Sequence, residues 1–238
     1  MFSPNFMFLT AILYYSGYPL GQIILRKGAF TASVRSLKIC IHGKPSHAAE
    51  PENGINPSLT VAKILIQLDN ISNNDLSSDR FRVITPVHVK VGEVAYGVSA
   101  GYGELHLTIR TWTESEMTVL VEEILETLTT HTSASKTTYT VNWTDIFRAN
   151  ENTDDAVDIL EQSAVAHNYN IHHSPHPMKW GEDFGTFTQS NQGSFFGIGA
   201  GEVHPSLHND DYDYPDEILI VGLNMFVGTL IQFQMIAV

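Results

Sequence analysis

The residues best suited to chemistry lie in two stretches, and the first is the loop Gly43-Lys-Pro-Ser-His47-Ala-Ala-Glu-Pro51. Glycine and proline at both ends predict a loop between a strand and a helix. The imidazole of His47 could donate a hydrogen bond or exchange a proton near neutral pH. Its small neighbours would let a substrate or a second chain approach. A single loop histidine is more often structural than functional, so this interpretation needs support from the rest of the chain.

The second stretch runs from residue 180 to residue 209 and combines carboxylates with a histidine. Glu182 and Asp183 are adjacent, and His208 precedes a short acidic segment. Carboxylate and imidazole groups are ligands that zinc accepts. The simpler interpretation is that Glu182 and Asp183 are charges at the start of a short helix and that His208 lies in a polar turn. One histidine cannot hold a zinc ion by itself.

Two other features carry little chemical signal. His172, His173 and His176 lie among prolines, so we predict a linker there rather than a metal site. Cys40 is the only cysteine and falls in a predicted strand, where it would be a small buried apolar residue. With one cysteine, neither an intrachain disulfide nor a cysteine-rich metal site can form.

The elements that would position His47 follow from apolar periodicity. Residues 36–42 alternate polar and apolar, which predicts a strand, and Pro57 opens a predicted amphipathic helix. Two alternating strands, a second helix and a last strand follow. The order β-α-β-β-α-β over roughly residues 30 to 145 predicts a ferredoxin-like domain, with both helices on one face of a four-stranded sheet.

Two details of this domain can also be predicted. Thr113-Glu-Ser-Glu116 has the spacing of a capping box at the start of the second helix. The sheet face away from the helices should carry basic and imidazole side chains, which would either bind a ligand or simply be solvated. These residues are Lys38, His42, His88, Lys90, His106 and Arg110.

A second α/β domain is predicted on either side of the ferredoxin-like unit. The apolar run from residue 6 to residue 15 reads as a buried strand, residues 195–198 as another, and helices are expected from about residues 152 and 215. The resulting division assigns residues 1–28 and 146–238 to one domain and residues 29–145 to an inserted one.

Composition limits the classes of partner. The formal net charge is −13, which argues against nucleic acid and anionic membranes, because both select basic surfaces. The run from residue 6 to residue 15 is too short to span a bilayer and lacks the basic start of a secretory signal. We therefore expect a cytoplasmic protein.

An ordered set of motifs makes the chain resemble the zinc-dependent aminoacylase/carboxypeptidase family, especially its N-acyl-amino-acid and hippurate-type amidohydrolase branch. Each motif alone is weak, but together they cover about residues 17 to 232. The motifs are Gly43 to Pro51 with Gly54-Ile-Asn-Pro57, Thr108-Ile-Arg-Thr111, Gly181-Glu-Asp-Phe184, Phe196-Gly-Ile-Gly199, and Leu207-His-Asn209 with Asp216-Glu217.

The resemblance implies a catalytic domain with two zinc ions and an inserted ferredoxin-like domain that closes over the site and forms a homodimer. By position, His47 resembles the histidine that stabilises the oxyanion across the dimer, and Arg110 resembles the arginine that pairs with the substrate carboxylate. His208 resembles the last metal ligand, and Glu182 and Asp183 would lie near the metal pocket. The substrate would be an N-acylated amino acid or a small peptide.

The departures from the family matter equally. Its other zinc ligands and its general-base glutamate would lie upstream of Met1, and Leu13 stands where another histidine ligand is expected. We therefore expect a partial catalytic domain in an N-terminally truncated chain that is inactive by itself. The alternative function is a non-catalytic dimerisation or binding module. A third possibility is that another chain supplies the missing half-domain.

Overall fold

The computed structural model describes residues 8–205 and 209–233, and they form two compact units. One unit comprises residues 33–147, and the other is built from the chain on either side of it. We call these the inserted unit and the flanking unit. The sequence prediction placed the first boundary before residue 29 and the second after residue 145.

The chain folds into twelve strands and five helices over the described residues. The strands are β1 (Phe8–Ser16), β2 (Ile23–Leu25), β3 (Gly28–Thr31), β4 (Ser33–His42), β5 (Ser46–His47), β6 (Arg82–Val91), β7 (Val98–Ser99), β8 (Tyr102–Thr111), β9 (Thr138–Phe147), β10 (Asn150–Asn152), β11 (Ile171–His173) and β12 (Gln192–Gly201). The helices are α1 (Ser58–Ile71), α2 (Glu114–Ser135), α3 (Asp154–Ala166), α4 (Gly185–Thr188) and α5 (Glu217–Gln232).

The inserted unit has the predicted ferredoxin-like fold. Its main sheet is antiparallel in the order β6-β8-β4-β9, and α1 and α2 pack on one face. Alternate residues of β4 and β8 point into the core beneath the helices, which also fixes the opposite face as the polar one. The buried residues of this core include Leu37, Ile39, Ile41, Ile64, Leu105, Leu107, Ile109 and Leu120.

The capping-box prediction at the start of α2 is confirmed for the cap itself, because the Thr113 hydroxyl accepts a hydrogen bond of 3.2 Å from the Glu116 amide. The Glu116 carboxylate also accepts a hydrogen bond from another element.

Arg82, at the start of β6, donates hydrogen bonds to Glu116 and, at 2.6 Å, to Glu123. Only 3% of the Arg82 side chain is exposed, so this charged group depends on its two partners.

The flanking unit is a mixed sheet in the order β1-β12-β2-β11. β1 runs parallel to β12 over its whole length, and β12 is antiparallel to β2. Helices α3 and α5 cover one face through apolar side chains such as Leu160 and Met225. Tyr15, Phe30 and Phe195 form a second apolar cluster. The strand predicted in residues 6–15 is present as β1, but of its described side chains only Tyr15 is buried, and the others are half-buried.

One local prediction was wrong. His172 and His173 belong to strand β11, which pairs with β2, rather than to a linker. Cys40 is buried, as predicted. Among the helices of the described chain, none combines the length and apolarity needed to cross a bilayer.

The Arg82 ion pairs generate a stability prediction. Replacing Arg82 with Met leaves two partly buried carboxylates without their main counter-charge, and breaking a buried pair in this way costs roughly 3 kcal/mol. Arg80 contacts the same two glutamates at 3.8 and 3.5 Å, but 67% of its side chain is exposed. Arg80→Met is therefore the matched control, with an expected loss below about 1 kcal/mol. Urea unfolding followed by circular dichroism measures both, and equal losses would contradict a structural role for Arg82.

Candidate functional site

The His47 loop is held by backbone contacts from two other segments of the inserted unit. β5 pairs with β7, which sets Ser46 opposite Ser99 and His47 opposite Val98. Lys44 and Ile55 exchange backbone hydrogen bonds of 2.9 and 2.8 Å. The His47 segment therefore contacts residue 55, a few positions further along the chain, and residues 98–99, about fifty positions away.

Glycine makes this meeting possible. A Cβ atom at Gly43 would lie 2.0 Å from the Ile55 carbonyl oxygen, and one at Gly101 would lie 2.4 Å from Pro45. Any side chain at either position would push the segments apart. Gly43 and Gly101 thus have a packing role, and the loop is formed without a bound ligand.

The ring of His47 has a defined hydrogen-bonding role. Its Nδ1 accepts a hydrogen bond of 3.1 Å from the Ala49 amide. Because Nδ1 is the acceptor, the neutral ring carries its proton on Nε2. The side chain is exposed, so Nε2–H is free to donate to a ligand. This arrangement suits stabilisation of a developing negative charge.

Sequence reasoning did not single out Asn56, although it lies in one of the quoted motifs. Its amide nitrogen donates to the Ser99 hydroxyl at 3.0 Å, and its carbonyl oxygen accepts from the Ser58 amide at 2.9 Å. Asn56 therefore ties the start of α1 to the strand that pairs with the His47 segment. The asparagine-proline pair before a helix was the available signal.

Arg110 lies near the opposite end of the same sheet. It is the ninth residue of β8, opposite Val34 and Val83, whereas β8 begins next to Gly101 in the His47 assembly. At about 3.3 Å per residue, the path along β8 between these ends is roughly 26 Å. Burial lowers the pKa of the Arg110 guanidinium from its usual value. One inserted unit therefore does not bring His47 and Arg110 together.

The polar sheet face is organised around Glu104, which the sequence analysis did not select. The Glu104 carboxylate accepts from Lys38 at 2.9 Å and from the Tyr102 hydroxyl at 2.8 Å. The Nε2 atoms of His88 and His106 each lie 3.5 Å from its other oxygen. The bonds from Lys38 and then Tyr102 lower the pKa of the Glu104 carboxyl to about 2. Three of the six side chains predicted for this face, those of Lys38, His88 and His106, thus form a connected network with Glu104.

Glu182 and Asp183 lie in the flanking unit, just before the short helix α4. The Glu182 and Asp183 carbonyls accept the amides of Gly185 and Thr186. Burial and, to a smaller extent, the charge of Glu182 raise the pKa of the Tyr15 hydroxyl above its ordinary value. Tyr15 is the penultimate residue of β1, so Glu182 lies within electrostatic range of the carboxyl end of that strand.

His208 lies outside the described residues. The chain that leads to it leaves the carboxyl end of β12, beside the carboxyl end of β1, where ligands bind in many α/β sheets. His204, which the sequence analysis did not select, lies there and contacts Tyr212. Over residues 8–205 and 209–233, no three His, Cys, Asp or Glu side chains converge to hold a metal ion. The described residues therefore do not fit a two-metal centre.

Comparison with known sequences finds the profile of a peptidase dimerisation domain at residues 25–136. The N-acetyldiaminopimelate deacetylase of Oenococcus oeni is 24% identical over 90% of this chain and 56% of its own length. The N-acetylcysteine deacetylase of Bacillus subtilis is 23% identical over 87% of this chain and 54% of its own length. The chain thus spans little more than half the length of these relatives.

Solved structures show the same fold. A putative aminohydrolase from methicillin-resistant Staphylococcus aureus superposes with a TM-score of 0.82 at 17% identity, over 94% of this chain and 58% of that one. A dinuclear metal-binding peptidase of the M20 family from Bacillus subtilis superposes with a TM-score of 0.76 at 19% identity, over 92% and 55%. At this identity, the likeness concerns the fold.

The Glu104 network predicts acid sensitivity of the inserted unit. A carboxyl whose folded pKa is about 2, against an ordinary 4.5, stabilises the fold above pH 4.5 and loses that contribution as the pH falls towards 2. Glu104→Gln should therefore flatten the decline in stability between pH 4.5 and 2. Glu93, which pairs with Lys90 and is 78% exposed, supplies the control Glu93→Gln. Thermal unfolding across this pH range measures the effect, and an unchanged slope in Glu104→Gln would contradict it.

Proposed function

Because this chain carries the peptidase dimerisation domain of the M20 family, we propose that it is the lid-bearing part of a metal-dependent amidohydrolase acting on N-acyl amino acids or small peptides. The observation that carries the proposal is the preformed His47 loop, with a donor proton on an exposed Nε2. The names of the deacetylase relatives support the substrate class. The cytoplasmic location stays a prediction.

His47 and Arg110 have distinct roles in this proposal. The Nε2–H of His47 would donate to the oxygen that becomes negative when the amide carbonyl is attacked. A preorganised donor of this kind lowers the activation free energy by about 3 kcal/mol. Arg110 would pair with the substrate carboxylate, for which its planar guanidinium is well matched. Both roles require only atoms that this chain provides.

The separation of the two residues supports a homodimer. A small N-acyl amino acid cannot span the roughly 26 Å that separates the two ends of β8. It could contact both groups if His47 came from one protomer and Arg110 from the other. Each chain would then complete the site of its partner.

An apolar edge of the inserted unit is suited to such an interface. β6 is an edge strand of the sheet, and its Val87 and Val89 are 61% and 44% exposed. Helix α1 packs beside β6 and exposes Leu59 and Ile66 by 74% and 63%. An open strand edge next to apolar side chains favours pairing with another chain. We propose that this edge forms the homodimer.

A metal centre would need ligands in addition to the described residues. One structural neighbour is described as a dinuclear metal-binding peptidase, which supports metal use. We propose that the metal is zinc, bound as two ions. Since the described residues do not fit that centre, we derive no catalytic step through it. His208 stays the candidate metal ligand, and Glu182 and Asp183 stay candidates for residues near the metal.

We propose that this chain is inactive by itself. Neither nucleic acid nor a membrane is proposed as a partner.

A non-catalytic dimerisation module is the second candidate function. The observation in its favour is that the inserted unit has its own four-stranded sheet, two helices and a buried core. Such a unit could associate without any chemistry. The first experiment below separates the two candidates.

The activity prediction uses a chimera in which this chain replaces the aligned 218 residues of the Oenococcus oeni deacetylase. With zinc added, we expect the chimera to hydrolyse N-acetyl amino acids and the isolated chain to show only background. His47→Ala in the chimera should lower kcat by about 10²–10³-fold, because an oxyanion donor is lost. His42→Ala, another exposed histidine of the inserted unit, is the control. A folded, zinc-loaded chimera without turnover would favour the module, and turnover by the isolated chain would contradict its inactivity.

The dimer prediction concerns the β6 edge. Val89→Glu places a charge in the proposed interface, so the 26.4 kDa chain should change from dimer to monomer in light scattering coupled to size exclusion. Ile146→Glu is the matched control, because Ile146 is 56% exposed on β9, the opposite edge of the sheet. Dissociation by Ile146→Glu alone would assign the interface to β9 instead.

A further inference from the structure

A cavity of about 330 Å³ opens beside the His47 loop in the inserted unit. It lies between Pro45 and the segment that connects β6 to β8, and most of its lining is apolar. The side chains that define it are those of Pro45, Ala95, Val98, Ala100 and Tyr102. A volume near 300 Å³ is the lower end of the range for ligand sites, which suits one small group rather than a whole peptide.

The cavity adjoins the β5–β7 ribbon that carries His47. His47 and Val98 are directly opposite in this antiparallel pair. Val98 and the four residues after it line the cavity together with Pro45, two residues before His47. A group seated in the cavity therefore lies beside the loop that presents the imidazole.

The polar groups around the cavity already have partners. The Glu93 carboxylate accepts from Lys90 at 2.7 Å, and the Ser99 hydroxyl accepts from Asn56 at 3.0 Å. The Tyr102 hydroxyl donates to Glu104. None of these groups therefore requires a charged or strongly polar ligand to satisfy it.

The cavity wall is held in place by close backbone packing. A Cβ atom at Gly92 would lie 2.8 Å from the Ala100 Cβ, and Gly101 packs directly on Pro45. The connecting segment also carries Val94 and Tyr96, which are 92% and 97% exposed and extend the apolar surface. An apolar concavity with apolar side chains at its rim selects ligands by shape and hydrophobicity.

We propose that this cavity is a specificity subsite that receives one small, uncharged apolar group of the substrate. That group is either the side chain or the acyl chain of an N-acylated amino acid. The inference rests on the proposed function for the identity of the substrate, while the subsite itself is defined by this chain alone. It adds Val98 and Ala100 to the residues that would determine which substrate is used.

The test is a titration of the whole ¹⁵N-labelled chain, followed by amide chemical shifts. N-acetyl-L-leucine carries an apolar side chain, N-butanoyl-L-aspartate an apolar acyl chain, and N-acetyl-L-aspartate neither. We expect saturable shifts in residues 92–102 with at least one of the first two and none with the third. The responding compound identifies which apolar group enters the cavity.

Variants that fill the cavity sharpen the test. Ala100→Leu should weaken the responding ligand about tenfold, because a few methylenes in an apolar pocket change affinity by that order. Ala134→Leu, on the exposed face of α2, is the matched control. If Ala100→Leu fails to fold, Ala95→Leu at the exposed rim replaces it.

Absence of shifts in residues 92–102, equal binding of all three compounds, or unaltered affinity in the filled variant would overturn the subsite. These outcomes differ from failure of the proposed function, which the chimera tests by turnover. A chimera that hydrolyses N-acetyl amino acids with no preference altered by Ala100→Leu would retain the function and reject the subsite.

Discussion

The pairing of β8 with both β4 and β6 is the constraint on which the inserted unit depends. Ten consecutive residues of β8 are in register with β4, and the pairing with β6 has one irregularity near Pro86. Because successive side chains of a strand alternate between faces, this register determines which side chains enter the core and which lie on the polar face. Leu105, Leu107 and Ile109 enter the core, and Tyr102, Glu104, His106 and Arg110 take the polar face.

The same strand also separates the two candidate site residues. Its first residue lies beside the glycine-packed loops that present His47, and Arg110 lies near its last. A rigid antiparallel strand cannot fold back, so the distance between these groups is a fixed property of the sheet. The homodimer proposed above is consistent with this separation, because a small substrate that used both groups would need one from each protomer.

The flanking unit is organised by a parallel strand pair. Its long parallel pair, β1 with β12, brings the carboxyl ends of two strands together, as in α/β enzymes generally. Tyr15 near the end of β1 and His204 just beyond the end of β12 lie at this edge, and the charge of Glu182 acts on the Tyr15 hydroxyl. Their grouping does not by itself make a metal centre among the described residues.

The sequence alone determined the periodic elements, and the family resemblance carried by its ordered motifs is confirmed by the dimerisation-domain profile and the deacetylase relatives. Alternation along β4, β8 and β9 and the cap at Thr113 are local patterns, so one short window is enough to predict them. His47 was selected from its loop, but Glu104, Asn56 and the cavity at Ala100 were not, because each depends on residues dozens of positions away. Only the tertiary structure decided that Lys38, Tyr102 and two histidines meet at Glu104 and that Arg110 lies far from His47. The physical reason is that contacts across a sheet depend on register between strands, and register is a property of the folded chain rather than of any one segment.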